Sequence, residues 1–245
     1  MSALVLLVLG AGLHPLGEAL PGPDSPSTAW VLERVSHAVI PEEVSRDVPI
    51  VLECLLTPGQ PETVGVRQVM SIAAPLADVA AVVEDFAHDA ELFPDLADVH
   101  VVKGSEDGNR FAVSWEQRVP VFFVPNVHYE TTWLVERTGK RISYRYKLKA
   151  KGTVKTTDGF IVLEDAGAGQ TRYTEVDFIE SSTGPVPMSA VWDMTLSGLF
   201  RSDVAIKLKA EHPAWTYPKL RSESDQLLER FPTAACFQKR HLREP

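Results

Sequence analysis

The sequence predicts an α+β domain: one curved antiparallel sheet of about six to seven strands wrapped around a long C-terminal helix, with two short helices after the first strand. Three observations predict it. Apolar and polar residues alternate strand after strand between Arg110 and Ser181. The apolar spacing switches to three and four after Gly184-Pro185. Between the first strand and that run lies a helical stretch broken at Phe93-Pro94.

The chain has 245 residues, 44% of them hydrophobic, which suits one globular domain with additional terminal segments. Its net charge of -9 argues against broad nucleic-acid binding, which calls for a basic surface. Cys54 and Cys236 are too few and too far apart for a metal-ligand cluster. They read as two buried thiols, or as one long-range disulfide if the protein is exported.

Ala3–Leu13 is an apolar run interrupted by Gly10 and Gly12, followed by small residues and the Pro/Ser-rich stretch Pro21–Ser27. That has the shape of an export signal. Against it, no Lys or Arg precedes Arg34, and His14-Pro15 closes the run. Localisation is therefore open between export (periplasmic or secreted) and the cytoplasm. The run is too short to span a bilayer, which takes about 20 apolar residues.

Residues 20–27 read as a linker. Thr28–His37 has a partial apolar face in Trp30, Val31, Val35 and Ala38, which suggests a short helix capped by Ser27 or Thr28. Val48–Leu56 is a dense apolar run consistent with a strand, and Thr57–Thr63 is a turn or loop. Val64–Ile72 reads as the first strand of the main domain. Pro75 then suits a first helical turn. Leu76, Val79, Ala80, Val83 and Phe86 recur at helical spacing, so residues 75–96 form two helical pieces.

Val99–Lys103 is the next strand, with a polar turn at Gly104–Asn109. Arg110–Arg118 puts Phe111, Val113 and Trp115 on one face. Val127–Arg137 puts Val127, Tyr129, Thr131, Trp133 and Val135 together, with His128, Glu130 and Glu136 opposite. A turn at Thr138–Lys140 leads to Arg141–Lys149, where Ile142, Tyr144, Tyr146 and Leu148 share a face. Gly159–Glu164 and Arg172–Ser181 complete the sheet around the Gly167/Gly169 turn. Met188, Val191, Trp192, Leu196, Leu199 and Phe200, continued by Val204, Ala205 and Leu208, form the helical stripe, which Pro213 ends. A second helical piece is expected around Ser222–Phe231. Short turns make the sheet a meander, and the long helix is the element available to cover its apolar face. A curved sheet gripping one helix leaves a gap at its open end, where ligands bind.

This order resembles the START-like superfamily, also called SRPBCC, whose architecture is known as the helix grip. Ser71-Ile72-Ala73-Ala74-Pro75-Leu76-Ala77-Asp78-Val79 resembles the end of its first strand and the beginning of its first short helix. Asp85-Phe86 through Phe93-Pro94-Asp95 resembles its second helix, and Gly184-Pro185 with the Met188–Leu208 stripe its C-terminal helix. The division that follows is 1–27 (possible signal and linker), 28–63 (N-terminal extension), 64–212 (START-like domain) and 213–245 (helical tail). Within the superfamily the nearest groups are the polyketide cyclase/dehydrase-like and coenzyme-Q-binding ones. The resemblance implies an internal cavity for a lipid, quinone or polyketide-like molecule, and the leading reading is binding or transport without catalysis. The alternatives are a cyclase/dehydrase-type enzyme using the same cavity, and a protein-interaction module with a filled interior.

The expected ligand-binding residues are Phe111, Val113, Trp115, Tyr129, Thr131, Trp133, Tyr144, Tyr146, Trp192, Leu196 and Leu199. An aromatic wall with a few hydroxyls suits a flat or amphipathic ligand, although it would equally pack a dry core. Val119–Pro125 carries Phe122 and Phe123 between two prolines, fit to gate the cavity or touch a membrane or lipid carrier, or else to form an edge strand. Arg141, Arg145, Lys147, Lys149, Lys151 and Lys155 read as a solvated outer face, paired in part with Glu130 and Glu136.

No catalytic residue, metal or cofactor is expected, since the sequence carries no nucleophile elbow, zinc helix, phosphate loop or dinucleotide fingerprint. His88, Asp89 and Glu91 are neighbours that do not converge, and His100 and His128 are isolated. Thr174, Val176 and Phe178 are expected to face inward, with Glu175 and Asp177 outward. The reverse would make a buried carboxylate there a general-base candidate with a raised pKa.

Overall fold

A computed structural model describes residues 35–36, 50–55, 63–119, 125–150, 154–181 and 188–230. The strands are β1 (Val35–Ser36), β2 (Ile50–Leu55), β3 (Thr63–Ile72), β4 (Leu96–Val101), β5 (Arg110–Gln117), β6 (Val127–Thr138), β7 (Arg141–Ala150), β8 (Val154–Gly167) and β9 (Gln170–Ser181). The helices are α1 (Leu76–Val83), α2 (Asp89–Leu92, preceded by a 3-10 turn at Phe86–His88), α3 (Met188–Glu211) and α4 (Tyr217–Arg230). The strand order is β1-β2-β3-β9-β8-β7-β6-β5-β4. All pairs are antiparallel, and β3 to β9 form the curled half-barrel of a helix-grip fold.

The strands β4 to β9 are a meander, as short turns require. The β8–β9 hairpin turns at Ala168-Gly169, where φ is 53° and 73°, the left-handed pair that matches strand twist. The sheet closes between its first and last full-length strands, β3 and β9, whose register runs from Thr63↔Glu180 to Ile72↔Thr171.

Three expectations change. Val35–Ser36 pairs with Leu55 and Cys54 as a strand, where a short helix over Thr28–His37 was expected. Its β-branched valine suits a ladder as well as a helical face, and pairing decides. Part of the 28–63 extension therefore adds two strands to the domain's own sheet, because β2 pairs along β3 from Ile50↔Met70 to Leu55↔Gly65. β4 begins at Leu96, ahead of the expected Val99, because the chain turns straight out of Phe93-Pro94. The tail helix begins at Tyr217, ahead of Ser222. Residues 1–34, Phe122, Phe123 and Cys236 lie outside the described residues.

α3 lies on the concave face. Leu196, Phe200, Val204 and Ala205 are at most 1% exposed and meet Val66, Met70, Ile72, Val113, Tyr144, Leu163 and Tyr173 in one core. Each such large apolar side chain contributes about 1.5–3 kcal/mol of transfer free energy. Polar contacts fix the helix against translation. Arg201 bridges Asp95 (2.7 Å) and Asp225 (2.8 Å), tying α3 to the turn before β4 and to α4. At the far end Lys207 reaches the Ser71 carbonyl (2.6 Å) and the Ala73 amide donates to Glu211 (2.7 Å). Among the described residues, no helix is long and apolar enough to cross a membrane.

Candidate functional site: an aromatic wall and a buried carboxyl cluster

Strand register lays the concave face out in rows. One row crosses five strands as Trp133, Tyr146, Gly159, Asp177 and Val66, from β6 to β3. The next reads Val135, Tyr144, Ile161, Glu175 and Gln68. A third ends in Leu163, Tyr173 and Met70. The face is thus aromatic at β5–β7 and acidic at β9.

The aromatic side gathers most of the expected residues. Phe111 stacks on Trp133 (ring centroids 6.2 Å apart), Trp115 on Tyr129 (6.2 Å), and Trp133 on Tyr146 (4.8 Å). The indole N–H groups of Trp115 and Trp133 both donate to Thr131 Oγ1 at 2.8 Å. One buried hydroxyl thus sets the orientation of two indoles. Val113 is fully buried beside them. Phe86, from the 3-10 turn, packs edge-on against Phe111 (5.7 Å), Trp115 (6.2 Å) and Trp133 (5.3 Å). Those three rings therefore have a protein partner on that side. The Tyr144 hydroxyl donates to Glu84 Oε1 at 2.5 Å, and Arg137 donates to the same oxygen at 2.6 Å. Leu196 is fully buried and Leu199 half-buried on α3. Trp192 belongs to α3, but its side chain lies outside the described residues.

The acidic side overturns one expectation. Glu175 and Asp177 face inward, and Thr174, Val176 and Phe178 face out. The reason is that both faces of β8–β9 are buried: Phe160, Val162, Val176 and Phe178 on the convex side are at most 5% exposed. Alternation of polarity marks the inner face only where the other face meets water. Asp203 of α3 joins the two carboxyls at 1% exposure. It sits four residues after Leu199 on the apolar stripe, a signal legible in the sequence.

The Tyr146 hydroxyl donates to Glu175 Oε1 (3.2 Å), and Tyr173 lies within hydrogen-bonding distance of Glu175 Oε2 (3.0 Å) and Asp203 Oδ1 (2.9 Å). A phenol has one proton. Tyr173 can donate to only one of its two carboxyl neighbours, so the other contact takes a proton from the carboxyl side. Burial, chiefly, together with the neighbouring Glu175 pushes Asp177 and Asp203 well above the usual carboxylate range. Only hydrogen bonds oppose this: for Asp177 from the Tyr146 hydroxyl and the Phe178 backbone, for Asp203 from Tyr173. Burial likewise raises Tyr146, Tyr173 and Tyr129.

Gln68, 1% exposed and paired in register with Glu175, has neither amide atom in a hydrogen bond. Asp177 Oδ1 and Asp203 Oδ2 are also unpartnered. A buried polar atom left so costs about 1–3 kcal/mol. Gly159 makes the junction of the two sides. A Cβ there would run into the Tyr146 ring and the Val176 carbonyl, so only glycine lets Tyr146 lie across β8 toward the carboxyls.

Elsewhere the surface is conventional. Arg145 pairs with Glu136 (2.6 Å) and Lys149 with Glu130 (3.0 Å), as expected of the basic row. A surface groove of about 400 Å³ crosses β5–β7 beside Arg110, Arg145, Lys147 and Lys149. His100 is held by Asp98 (2.7 Å) at the surface. Among the described residues, no group of three acidic, histidine or cysteine side chains is arranged to hold a metal.

The family described as polyketide cyclase / dehydrase and lipid transport matches residues 63–210, more than half of the chain. The chain belongs to this family. No curated protein matches it. Among solved structures, the lipid transfer and protein localization domain of human StarD13 is similar at 14% identity, with 66% of this chain and 84% of that one covered and a TM-score of 0.52. Human STARD10 is similar at 11% identity, covering 79% and 73%, with a TM-score of 0.52. The Zhui aromatase/cyclase of Streptomyces sp. R1128 is similar at 16% identity, covering 67% and 94%, with a TM-score of 0.47. At such identities the likeness is one of fold. The polyketide cyclase / dehydrase and lipid transport family is thus reached from the sequence match and the START-like fold together.

Proposed function

We propose that this chain binds or carries a hydrophobic small molecule, lipid, quinone or polyketide-like, between β3, β9 and α3, without transforming it. The observation that carries the reading is the buried polar end of the concave face. Gln68, Asp177 and Asp203 hold polar atoms with no protein partner at 1–6% exposure. A dry core replaces such residues with apolar ones at no loss, whereas a ligand's polar group satisfies them. The neighbouring Trp133, Tyr146 and Leu196 supply apolar surface for the ligand's body. The family's description supports hydrophobic-ligand binding in general terms.

The test is native mass spectrometry of the purified full chain, before and after incubation with dodecanol or a prenylated benzoquinone. One retained molecule per chain is the expected result. Protein that carries nothing and takes up neither probe would remove the reading.

A second reading is favoured by the same carboxyls. Tyr146, Tyr173, Glu175 and Asp203 form one hydrogen-bonded group in which burial raises Tyr146, Tyr173 and Asp203, and a buried proton-holding group is what a cyclase/dehydrase needs to protonate and deprotonate a bound poly-ketone. Asp203→Asn separates the two: it would abolish conversion of a poly-β-ketone mimic in an enzyme, and no conversion by the native protein is expected of a carrier.

A further inference from the structure

A carboxyl cluster is not in itself a binding site, and this one is distinguished by what surrounds it. Gln68 is fully buried, on the same inward face and in register with Glu175, yet neither of its amide atoms has a partner. The unpartnered oxygens at this end of the fold are Gln68 Oε1, Asp177 Oδ1 and Asp203 Oδ2. All are acceptors when the acids are ionised. The tyrosine hydroxyls that reach the cluster are already committed to Glu175, Asp177 and Asp203.

That inventory sorts ligand heads by charge. An anionic head, a carboxylate or phosphate, would meet no basic side chain here and would repel any of the buried acids that lost its proton. A neutral hydroxyl brings one donor and can accept from Gln68 Nε2, so it serves two of the unpartnered atoms and leaves two oxygens unmet. A primary ammonium brings three N–H donors, equal in number to the unpartnered oxygens, and its charge offsets that of the acids it meets. The aromatic rings adjoin on the same row: Tyr146 and Trp133 are the neighbours of Asp177 across Gly159. Ring faces favour a cation near them.

We propose that the polar end formed by Gln68, Glu175, Asp177 and Asp203 recognises a primary ammonium group carried on a hydrophobic body, so that the ligand is a cationic amphiphile. This rests on the hydrophobic-ligand reading above and narrows it to one head-group chemistry. Binding would displace the protons that the buried acids hold in the free protein. The ionisable groups facing this point are Glu175, Asp177 and Tyr173 on β9, Asp203 on α3, Tyr146 on β7 and Tyr129 on β6, with Asp158 behind them on the convex face of β8, and none of them is basic. Affinity for the ammonium therefore rises from pH 6 to pH 8, as the acids lose protons more readily.

The experiment compares chain-matched probes on the native full-length protein: dodecylamine, dodecanol and dodecanoate, each below its micellar concentration, by competition in native mass spectrometry and by calorimetry at pH 6 and pH 8. The expected order at pH 8 is amine over alcohol by about tenfold or more, with the acid weakest, and an amine preference smaller at pH 6. In Asp177→Asn and Asp203→Asn the ratio of dodecylamine to dodecanol affinity falls several-fold; a ratio unchanged in both variants overturns the inference. Dodecanol or dodecanoate binding as tightly as the amine overturns this inference and leaves hydrophobic-ligand binding standing. Binding of none of the three overturns both. The probe comparison on the native protein needs no variant to fold.

Discussion

The two sides of the concave face solve the burial problem differently. At β5–β7 the indole N–H groups and the Tyr144 hydroxyl of the aromatic wall are met. Two indole N–H groups share Thr131 Oγ1, and the Tyr144 hydroxyl reaches Glu84. Phe86 covers Phe111, Trp115 and Trp133. At β3, β9 and α3 the side chains are as deeply buried, but Gln68, Asp177 and Asp203 keep unpartnered atoms. Equal burial goes with unequal satisfaction on the two sides. On the proposed reading the aromatic wall shapes the concave face and offers apolar surface, and the acidic end is where the ligand's polar group would fit.

The largest effect that can break this comparison is on stability. Trp133→Ala removes a ring that Phe86, Phe111, Trp115, Tyr144 and Tyr146 all contact. It is expected to cost about 3–5 kcal/mol in urea unfolding. A loss below about 1 kcal/mol would mean that the wall is not core.

A buried acid outside both regions provides a control. Asp89, 5% exposed at the start of α2, is pushed up to about 8 by burial and by Asp85. Its folded pKa lies above the unfolded one, so the native state holds a proton that the unfolded chain releases. Stability from this group therefore falls as pH rises between about 4 and 8, by about 1.4 kcal/mol per pH unit. Asp89→Asn should remove that slope, gaining a few kcal/mol over the native protein at pH 8 and little at pH 4. Parallel stability–pH curves for the two proteins would contradict the assignment.

Smaller still is the junction. Gly159→Ala forces Tyr146 or β8 to move and is expected to cost about 1–3 kcal/mol. It also separates Tyr146 from Glu175, so uptake of dodecanol or dodecylamine should weaken alongside the unfolding midpoint. A variant as stable as the native protein with uptake unchanged would show that the aromatic wall and the carboxyls act independently.

How far the sequence foretold this division follows from what periodicity can see. Strand alternation located β5, β6 and β7 to within a residue and put Trp133, Tyr144 and Tyr146 on the inner face, because the opposite faces carry Glu130, Glu136 and Arg145 in water. The period change after Gly184 located α3. Alternation failed at β9, where Val176 and Phe178 are buried on the convex face and the more apolar face is not the inner one. Asp203 was legible as a polar residue on the Leu199–Phe200–Val204 stripe. Phe86 was read as a helical apolar residue, but its closure of the aromatic wall depends on tertiary placement of the 3-10 turn, which spacing does not encode. The unpartnered state of Gln68 is likewise a property of the assembled fold.

The central claim, that the acidic end is kept for a ligand at a cost to stability, is tested most directly by Asp203→Asn. Its unfolding midpoint and its uptake of dodecylamine and dodecanol would be measured together at pH 8. Burial raises the Asp203 pKa in the native state, so the acid destabilises the fold as pH rises, and the amide does not titrate. The account predicts a higher midpoint with weaker dodecylamine uptake. A lower midpoint with uptake unchanged would make Asp203 a structural group and contradict it.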